Sequence, residues 1–373
     1  MKGENFNISA RKPRVLVAPL DWGLGHATRC IPLIRELLAL NCDVMIGAEG
    51  AVKNLLEKEF AQLIFLPLKE YEIKYSHKKS GLSVKILLQL PKIIRRIYHE
   101  HRWLKKIIIQ NNIDAIISDN RFGLYSTMVP CIYITHQLTI KTGNHFFDWI
   151  AQKINYHFIN KYNACWIPDA IDENNLAGIL SHPKHLPKTP AVYLGPLSRF
   201  EKITVEKKYD LAVILSGPEP QRTFFEDLLL KQLENYTGTC LFVRGLPADV
   251  ERLVCENVSI DMHNHLSATT LNKAILQSEL VISRSGYTTV MDLVKLQQKA
   301  ILIPTPGQTE QEYLAEILMK KKLFYCIKQE EFSLHQDLKK AAGFSFARLV
   351  LNPDEYKMVI ENFVTNLPAV IDR

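Results

Sequence analysis

The 373-residue chain reads as an α/β protein built from two doubly wound parallel sheets facing each other across a cleft. Three observations predict this. Short apolar runs alternate with amphipathic stretches of helical length in both halves, as βαβ units and parallel sheets require. The alternation stops once, over 169–191, a stretch rich in Pro, Asn and His, and restarts at Tyr209. Small-residue turns and polar helix starts follow the strand runs, where such sheets bind their ligands. The chain accordingly divides into a flexible tail (1–12), a first domain (13–200) and a second domain (201–373).

Each element has its own signal. Val15–Pro19, Asp43–Ala48 and Leu63–Leu66 are strand runs, and Ile31–Leu40 and Val52–Phe60 carry helical periodicity between them. Pro91 is expected to split 82–110 into two helical pieces. Strands are expected at Ala115–Ser118, Cys131–Thr135 and Ala164–Ile167, with a helix from about Phe146 to Asn160. Val192–Leu197 reads as a connector. The second half offers strands at Tyr209–Leu215, Cys240–Arg244, Val258–Asp261, Leu280–Ser283 and Ala300–Pro304. Helices are expected at Thr288–Leu296 and at Pro353–Asn366.

Composition narrows the class. Seven cysteines, odd in number and with no CxxC pair, indicate neither a disulfide framework nor a zinc site. They read as reduced thiols. The first residues have no apolar core of signal-peptide length, and no segment has the roughly 20 apolar residues that span a bilayer. A cytoplasmic location is expected. The formal net charge is +7, yet Lys69–Lys106 alone holds eleven Lys/Arg against three Glu, a local +8. Over 82–110, Ile93, Ile94, Ile97, Leu104 and Ile108 share one helical face, while Lys92, Arg95, Arg96, Arg102, Lys105 and Lys106 take the others. Such a segment either packs its stripe on the sheet or lies on anionic lipid at the inner face of the membrane. Nucleic acid is not an expected partner, since only Tyr98 and Trp103 are there to stack on bases.

Two adjacent turns carry most of the chemistry. Ser283-Arg284-Ser285-Gly286 joins a strand to a helix and offers unpaired N–H groups at the helix N-terminus, where an anion is held. Asp292 lies a turn further on. The next unit ends in Thr305-Pro306-Gly307 and opens a helix with Gln308, Glu310, Gln311 and Glu312, groups suited to sugar hydroxyls. A single turn of this kind occurs in many α/β proteins and says little. The pair resembles the donor-binding signature of the MurG-like, family 28 glycosyltransferases, in which Arg-(Ala/Ser)-Gly is followed by an acidic helix residue and then a Pro-rich turn ending in a Glu/Asp/Gln-Gln pair. That resemblance implies the GT-B fold, two Rossmann-like domains across a cleft, with the last helix packing back on the first. It also implies that Ser285 and Gly286 hold the diphosphate of a UDP-sugar, Asp292 the ribose, and Glu310 and Gln311 the sugar, Arg284 belonging to the same motif. Asp292 stands where MurG has Glu, one methylene longer. Ser216-Gly217 resembles the family's second glycine loop only weakly, because Pro218 and Pro220 remove N–H donors.

The loop Asp21–Arg29 follows the first strand and contains Gly23, Gly25 and His26. A dinucleotide fingerprint wants a third Gly and an earlier acid after the second strand than Glu49. Gly-x-Gly-His instead resembles the first loop of the same transferases and of the related UDP-sugar hydrolase PseG, which implies that His26 is the base. A histidine near neutrality suits deprotonation of a hydroxyl, and a helix N-terminus lowers its pKa. Asp119, ending a strand, is a candidate to orient the imidazole. Gly23, Gly25, Arg29, Asn120, His136 and Gln137 are acceptor-side candidates because they follow first-domain strands. His263 and His265 have H-x-H spacing but no acidic or Cys partner nearby, and a loop role is expected for them.

The function implied is inverting transfer of a hexose or N-acetylhexosamine from a UDP donor to a hydroxyl, with no cofactor and no obligate metal, onto a glycan or lipid-linked acceptor of the cell envelope. Alternatives are a UDP-sugar hydrolase, a UDP-sugar epimerase and a nucleotide-sugar-binding protein without turnover.

Overall fold

The structure, a computed structural model, describes residues 11–71, 82–141, 144–246, 257–352 and 354–368. Most of the tail and part of the basic segment, 72–81, lie outside the described residues. Arg11, expected in the tail, is anchored by an ion pair to Asp114 at 2.7 Å.

The first half runs β1 (Arg14–Pro19), α1 (Leu24–Ala39), β2 (Asp43–Gly47), α2 (Gly50–Glu59), β3 (Ile64–Leu66), α3 (Leu82–Gln110), β4 (Ala115–Asp119), β5 (Cys131–Ile134), α4 (His145–Ile159), β6 (Ala164–Ile167) and β7 (Ala191–Tyr193). Among the described residues these strands form a parallel sheet in the order β3-β2-β1-β4-β5-β6-β7. Its central strands β1, β4 and β5 are buried on both faces, which is why they read as apolar runs and not as alternations. The Val192–Leu197 segment read as a connector begins inside β7, whose half-buried residues at the sheet edge lack a strand-length apolar run. Pro91 does not split the basic segment, for α3 is one continuous helix with Pro91 in its interior. Ile97, Leu104 and Ile108 of the apolar stripe are buried, but Ile94 is 59% exposed. Leu104 and Ile108, the C-terminal end of the stripe, pack on the sheet, and Ile97 packs against Leu20 and Tyr71.

The second half runs β8 (Tyr209–Ile214), α5 (Gln221–Leu233), β9 (Cys240–Val243), β10 (Ile260–His263), α6 (Ala268–Leu276), β11 (Ser278–Ser283), α7 (Tyr287–Leu296), β12 (Ala300–Leu302), α8 (Thr309–Lys320), β13 (Tyr325–Cys326), α9 (Leu334–Ala342) and α10 (Glu355–Thr365). Its parallel sheet has the order β10-β9-β8-β11-β12-β13. β10 begins two residues later than its apolar content suggests: Val258 is 97% exposed, and His263 closes the strand instead of following it. In both sheets the order reverses direction beside the first strand, the crevice where doubly wound sheets bind ligands.

One apolar cluster joins the halves. It includes Ile31 and Ile34 of α1, Tyr287, Val290 and Met291 of α7, and Tyr356 and Ile360 of α10. α10 returns to the first half, where Phe363 meets Trp166 edge to face at 5.3 Å. Polar bonds cross the same seam, among them Tyr287 Oη donating to Pro168 O (2.7 Å), Thr309 Oγ1 to Lys141 O (2.7 Å) and Ile179 N to Tyr313 Oη (3.0 Å).

Candidate active site

The cleft holds a cavity of about 2090 Å³ lined by both halves. Helix N-termini converge on it, since α1, α5, α7 and α8 all start from loops that line it. α1 begins after Gly23, whose φ of 89° is open to glycine and strained for other residues. Gly25, the next helical glycine, lies against α7. A Cβ there would stand 3.1 Å from Thr288 Oγ1, which donates to Gly25 O at 3.3 Å. Small residues in the first loop thus let the N-termini of α1 and α7 approach each other and sum their positive ends at one place.

His26 follows in the first turn of α1. Its Nδ1 lies 3.2 Å from Asp119 Oδ2 and 2.8 Å from Arg29 Nη2. Arg29, one turn on, is 2% exposed and clasps the fully buried Asp119, Nε to Oδ2 at 2.7 Å and Nη2 to Oδ1. Its Nη1 reaches His136 Nδ1 at 3.1 Å. Burial, then the neighbouring Arg29 charge, lower the His26 pKa below 6.5, outweighing the pull of Asp119 the other way. Burial works to raise the Asp119 pKa, but Arg29 and His26 hold it well below the usual carboxylate range. The sequence suggested Asp119 as partner of His26; that Arg29 stands between them was not legible, because the i,i+3 relation does not say which way a long side chain folds.

His136 Nε2 lies 2.8 Å from Glu310 Oε1, and Gln137 Nε2 donates to Glu310 Oε2. The His136 ring stacks on Tyr287 at 4.2 Å. Two first-half residues and the start of α8 are thereby brought together. Burial works to raise the Glu310 pKa, and His136 and Arg29 more than offset it, leaving it lowered.

The donor-side residues separate into two groups. Gly286, Thr288, Thr289, Asp292, Glu310 and Gln311 line the cavity. Arg284 and Ser285 do not: both are buried beneath the turn. Arg284 donates to the carbonyls of Ile303 (3.4 Å), Pro304 (3.1 Å) and Gln221 (3.1 Å), and its guanidinium stands 3.9 Å over the Phe225 ring. Burial lowers its pKa to about 9. Ser285 Oγ donates to Gln311 O at 2.9 Å. Gln311 Oε1 accepts from Thr305 N at 2.9 Å while its Nε2 donates to Gln308 Oε1 at 2.6 Å. These three side chains brace the two turns against each other.

Asp292 accepts a hydrogen bond from Ser198 Oγ. Burial raises its pKa to about 6, against the opposing pull of Arg199. Arg199 lines the cavity, and its Nε is buried without a hydrogen-bond partner. Neither Ser198 nor Arg199 was singled out by sequence reasoning; the only signal is their place after Gly195-Pro196, where the chain passes between the sheets. Ser216 and Gly217 are exposed and line the cavity beside Glu219. Asn120, at φ 59°, lines it too and accepts from Tyr133 Oη at 2.8 Å. His263 Nε2 pairs with Asp261 at 2.9 Å, whereas His265 faces the cavity. Among the described residues no three His, Cys, Asp or Glu side chains are grouped as metal ligands.

Comparison with known proteins agrees with this architecture. Residues 248–348 match the glycosyltransferase family 28 C-terminal domain. An uncharacterized glycosyltransferase of Methanosarcina acetivorans is 24% identical over 329 residues, covering 82% of this chain and 83% of that one. UDP-N-acetylglucosamine--N-acetylmuramyl-(pentapeptide) pyrophosphoryl-undecaprenol N-acetylglucosamine transferase 2 of Bacillus thuringiensis (strain Al Hakam) is 24% identical over 328 residues, covering 79% and 80%. Among solved structures, MurG of Acinetobacter baumannii superposes with a TM-score of 0.52 at 12% identity, and SnogD of Streptomyces nogalater with 0.59 at 12%, each over 96% of both chains. The two facing parallel sheets are those of the GT-B fold, and the chain is a glycosyltransferase similar to the MurG-like enzymes of family 28, whose C-terminal domain it matches over 248–348.

Proposed function

We propose that the protein transfers a hexose or N-acetylhexosamine from a UDP donor to an acceptor hydroxyl with inversion, His26 taking the acceptor proton. The observation that carries this reading is that His26, the N-terminus of α7, Asp292 and Glu310 line one cavity. In this reading the diphosphate sits on the backbone N–H groups of Gly286, Tyr287 and Thr288, where the helix dipole favours the charge that grows on the leaving group. That role needs no metal ion. Asp292 and Arg199 take the ribose side of the donor. Glu310 exchanges its bonds to His136 and Gln137 for sugar hydroxyls, with Gln308 and Gln311 beside it. Burial keeps His26 neutral near pH 7, as a base must be.

The acceptor side supports a lipid-linked substrate at the cell envelope. Phe147, Ile150, Ile154 and Phe158 recur at helical spacing on the cavity side of α4, and Ile93 and Ile97 of α3 line the same cavity. Phe146, Trp149 and Ile94 stay exposed nearby. Lys92 and Arg95 are exposed on α3, a charge suited to the phosphates of an anionic lipid and to contact with a membrane surface. Among the described residues no helix is long and apolar enough to cross a membrane.

The test is UDP release from a panel of UDP-sugars, first without acceptor and then with a lipid extract. Release only with the extract, abolished in His26→Ala, is expected. Rapid release without acceptor would replace this reading with hydrolysis, and conversion to another UDP-sugar would replace it with epimerisation.

A further inference from the structure

Arg29 has donors only, so every nitrogen it touches must offer a lone pair. Its Nε and Nη2 are committed to the two oxygens of Asp119. The remaining N–H groups at the outer edge of the guanidinium reach Nδ1 of His26 at 2.8 Å and Nδ1 of His136 at 3.1 Å. The planar fork cannot turn to avoid either ring without breaking its bidentate hold on Asp119, which is wholly buried. For His136 the consequence is self-consistent: with Nδ1 accepting, its proton is on Nε2, 2.8 Å from a Glu310 carboxylate oxygen. For His26 two partners compete at one atom. Asp119 Oδ2, 3.2 Å away, requires an Nδ1 proton, while Arg29, 0.4 Å nearer by the same measure, requires a lone pair.

We propose that Arg29 is a positioning residue that fixes the protonation site of both cleft histidines, placing the ring proton of each on Nε2 in the ligand-free protein. Resting on the proposed role of His26 as base, this has a mechanistic consequence. A proton from the acceptor hydroxyl can enter Nε2 only when that nitrogen carries a lone pair and Nδ1 carries the hydrogen. The His26–Arg29 contact must therefore give way to the His26–Asp119 bond before transfer, Nε2 releasing one proton to solvent while solvent supplies one to Nδ1, so that the ring stays neutral. The acceptor O–H bond then breaks as the Nε2–H bond forms, and the imidazolium rests on Asp119. Arg29 in this arrangement keeps the base idle until substrate has assembled, which protects a bound donor from water.

The experiment is long-range ¹H–¹⁵N NMR of the full chain at pH 8 with histidine ring labelling, the resonances assigned with His26→Gln and His136→Gln. The expected result for the wild type is a pyridine-like Nδ1 and a protonated Nε2 at both rings. A protonated Nδ1 at His26 overturns the proposal. Arg29→Lys retains a charge beside Asp119 but cannot span three acceptors, so His26 is expected to move to the Nδ1-protonated form. An unchanged tautomer in a folded Arg29→Lys protein also overturns it. Should that variant not fold, the wild-type spectrum alone decides. The outcome is independent of whether His26 is the base: full transferase activity in His26→Gln would remove the catalytic role and leave the tautomer assignment standing.

Discussion

His136 and Glu310 tie the two halves of the molecule together across the cleft, Nε2 to Oε1 at 2.8 Å, with Gln137 on the other carboxylate oxygen. The residues are 174 positions apart in the chain. Glu310 stands where a donor sugar is proposed to bind, so the bond belongs to the ligand-free protein and must be exchanged when a donor enters.

Glu310→Gln should therefore separate stability from binding. Losing the charge on a bond of this kind costs about 1–3 kcal/mol, and the loss should depend on pH. Because the Glu310 pKa is lowered in the fold, its stabilisation is complete above the ordinary carboxylate range and drains away as pH falls through the lowered value. Thermal unfolding of wild type and variant should differ at pH 7 and converge in acid. The donor KM should rise in the variant while unfolding at low pH stays the same.

His26 makes a prediction about rate. With its pKa lowered by burial and Arg29, the neutral ring that base catalysis needs prevails already below pH 6.5. The acid limb of the kcat/KM profile should have its inflection below that value and activity should be flat through pH 7. His26→Ala should lower kcat by about 10²–10⁴ with little change in donor affinity by calorimetry.

Asp292 carries a folding penalty. Its pKa of about 6 lies above the unfolded value of 3.8, so the folded protein binds the extra proton between those limits. Stability from this group is complete below pH 3.8 and is lost as pH rises through 6. Asp292→Asn should melt higher than wild type at pH 8, with the gain vanishing in acid, yet bind UDP about ten- to a hundredfold more weakly, the worth of one charge-assisted hydrogen bond. Equal melting of the two proteins across this range would show that Asp292 is solvated.

Arg284 should behave oppositely. Its bonds go to three backbone carbonyls and its face to Phe225, so Arg284→Ala is expected to lose about 2–4 kcal/mol of stability by denaturant titration. At temperatures where the variant is folded, its donor KM should change little.

The sequence made the two sheets and the turns at 21–29 and 283–311 legible because both depend on local pattern: apolar runs of strand length, small residues, polar helix starts. What escaped it depends on direction and on distant neighbours. β7 was hidden because an edge strand of three half-buried residues has no apolar run. Pro91 was over-read as a break, since a helix that packs its Leu104 and Ile108 on the sheet tolerates one lost hydrogen bond. Arg284 lies in the same motif as Gly286 and yet turns away from the cavity. Arg199 carries no local mark, and its orphaned Nε becomes visible only when the chain between the sheets is folded against α7.

The apolar face of α4 gives the sharpest division between acceptor and donor. Phe147, Ile150, Ile154 and Phe158 point one side of the helix at the cavity, where Ile150 is half-buried and Ile154 is exposed. A water-soluble acceptor has no use for such a wall, whereas a polyprenyl or acyl chain would cover it. Covering one isoleucine side chain is worth about 1.5–3 kcal/mol, so Ile150→Glu, which adds a charge that must stay hydrated, should raise the KM for a lipid-linked acceptor by about ten- to a hundredfold. Thermal stabilisation by UDP-sugar should be unchanged, because Ile150 lies on the first half and the proposed nucleotide contacts lie on α7 and α8. A rise in donor KM of the same size would instead mean that α4 shapes the whole cleft. An unchanged acceptor KM would mean that the chain of the acceptor runs elsewhere or that the acceptor has none.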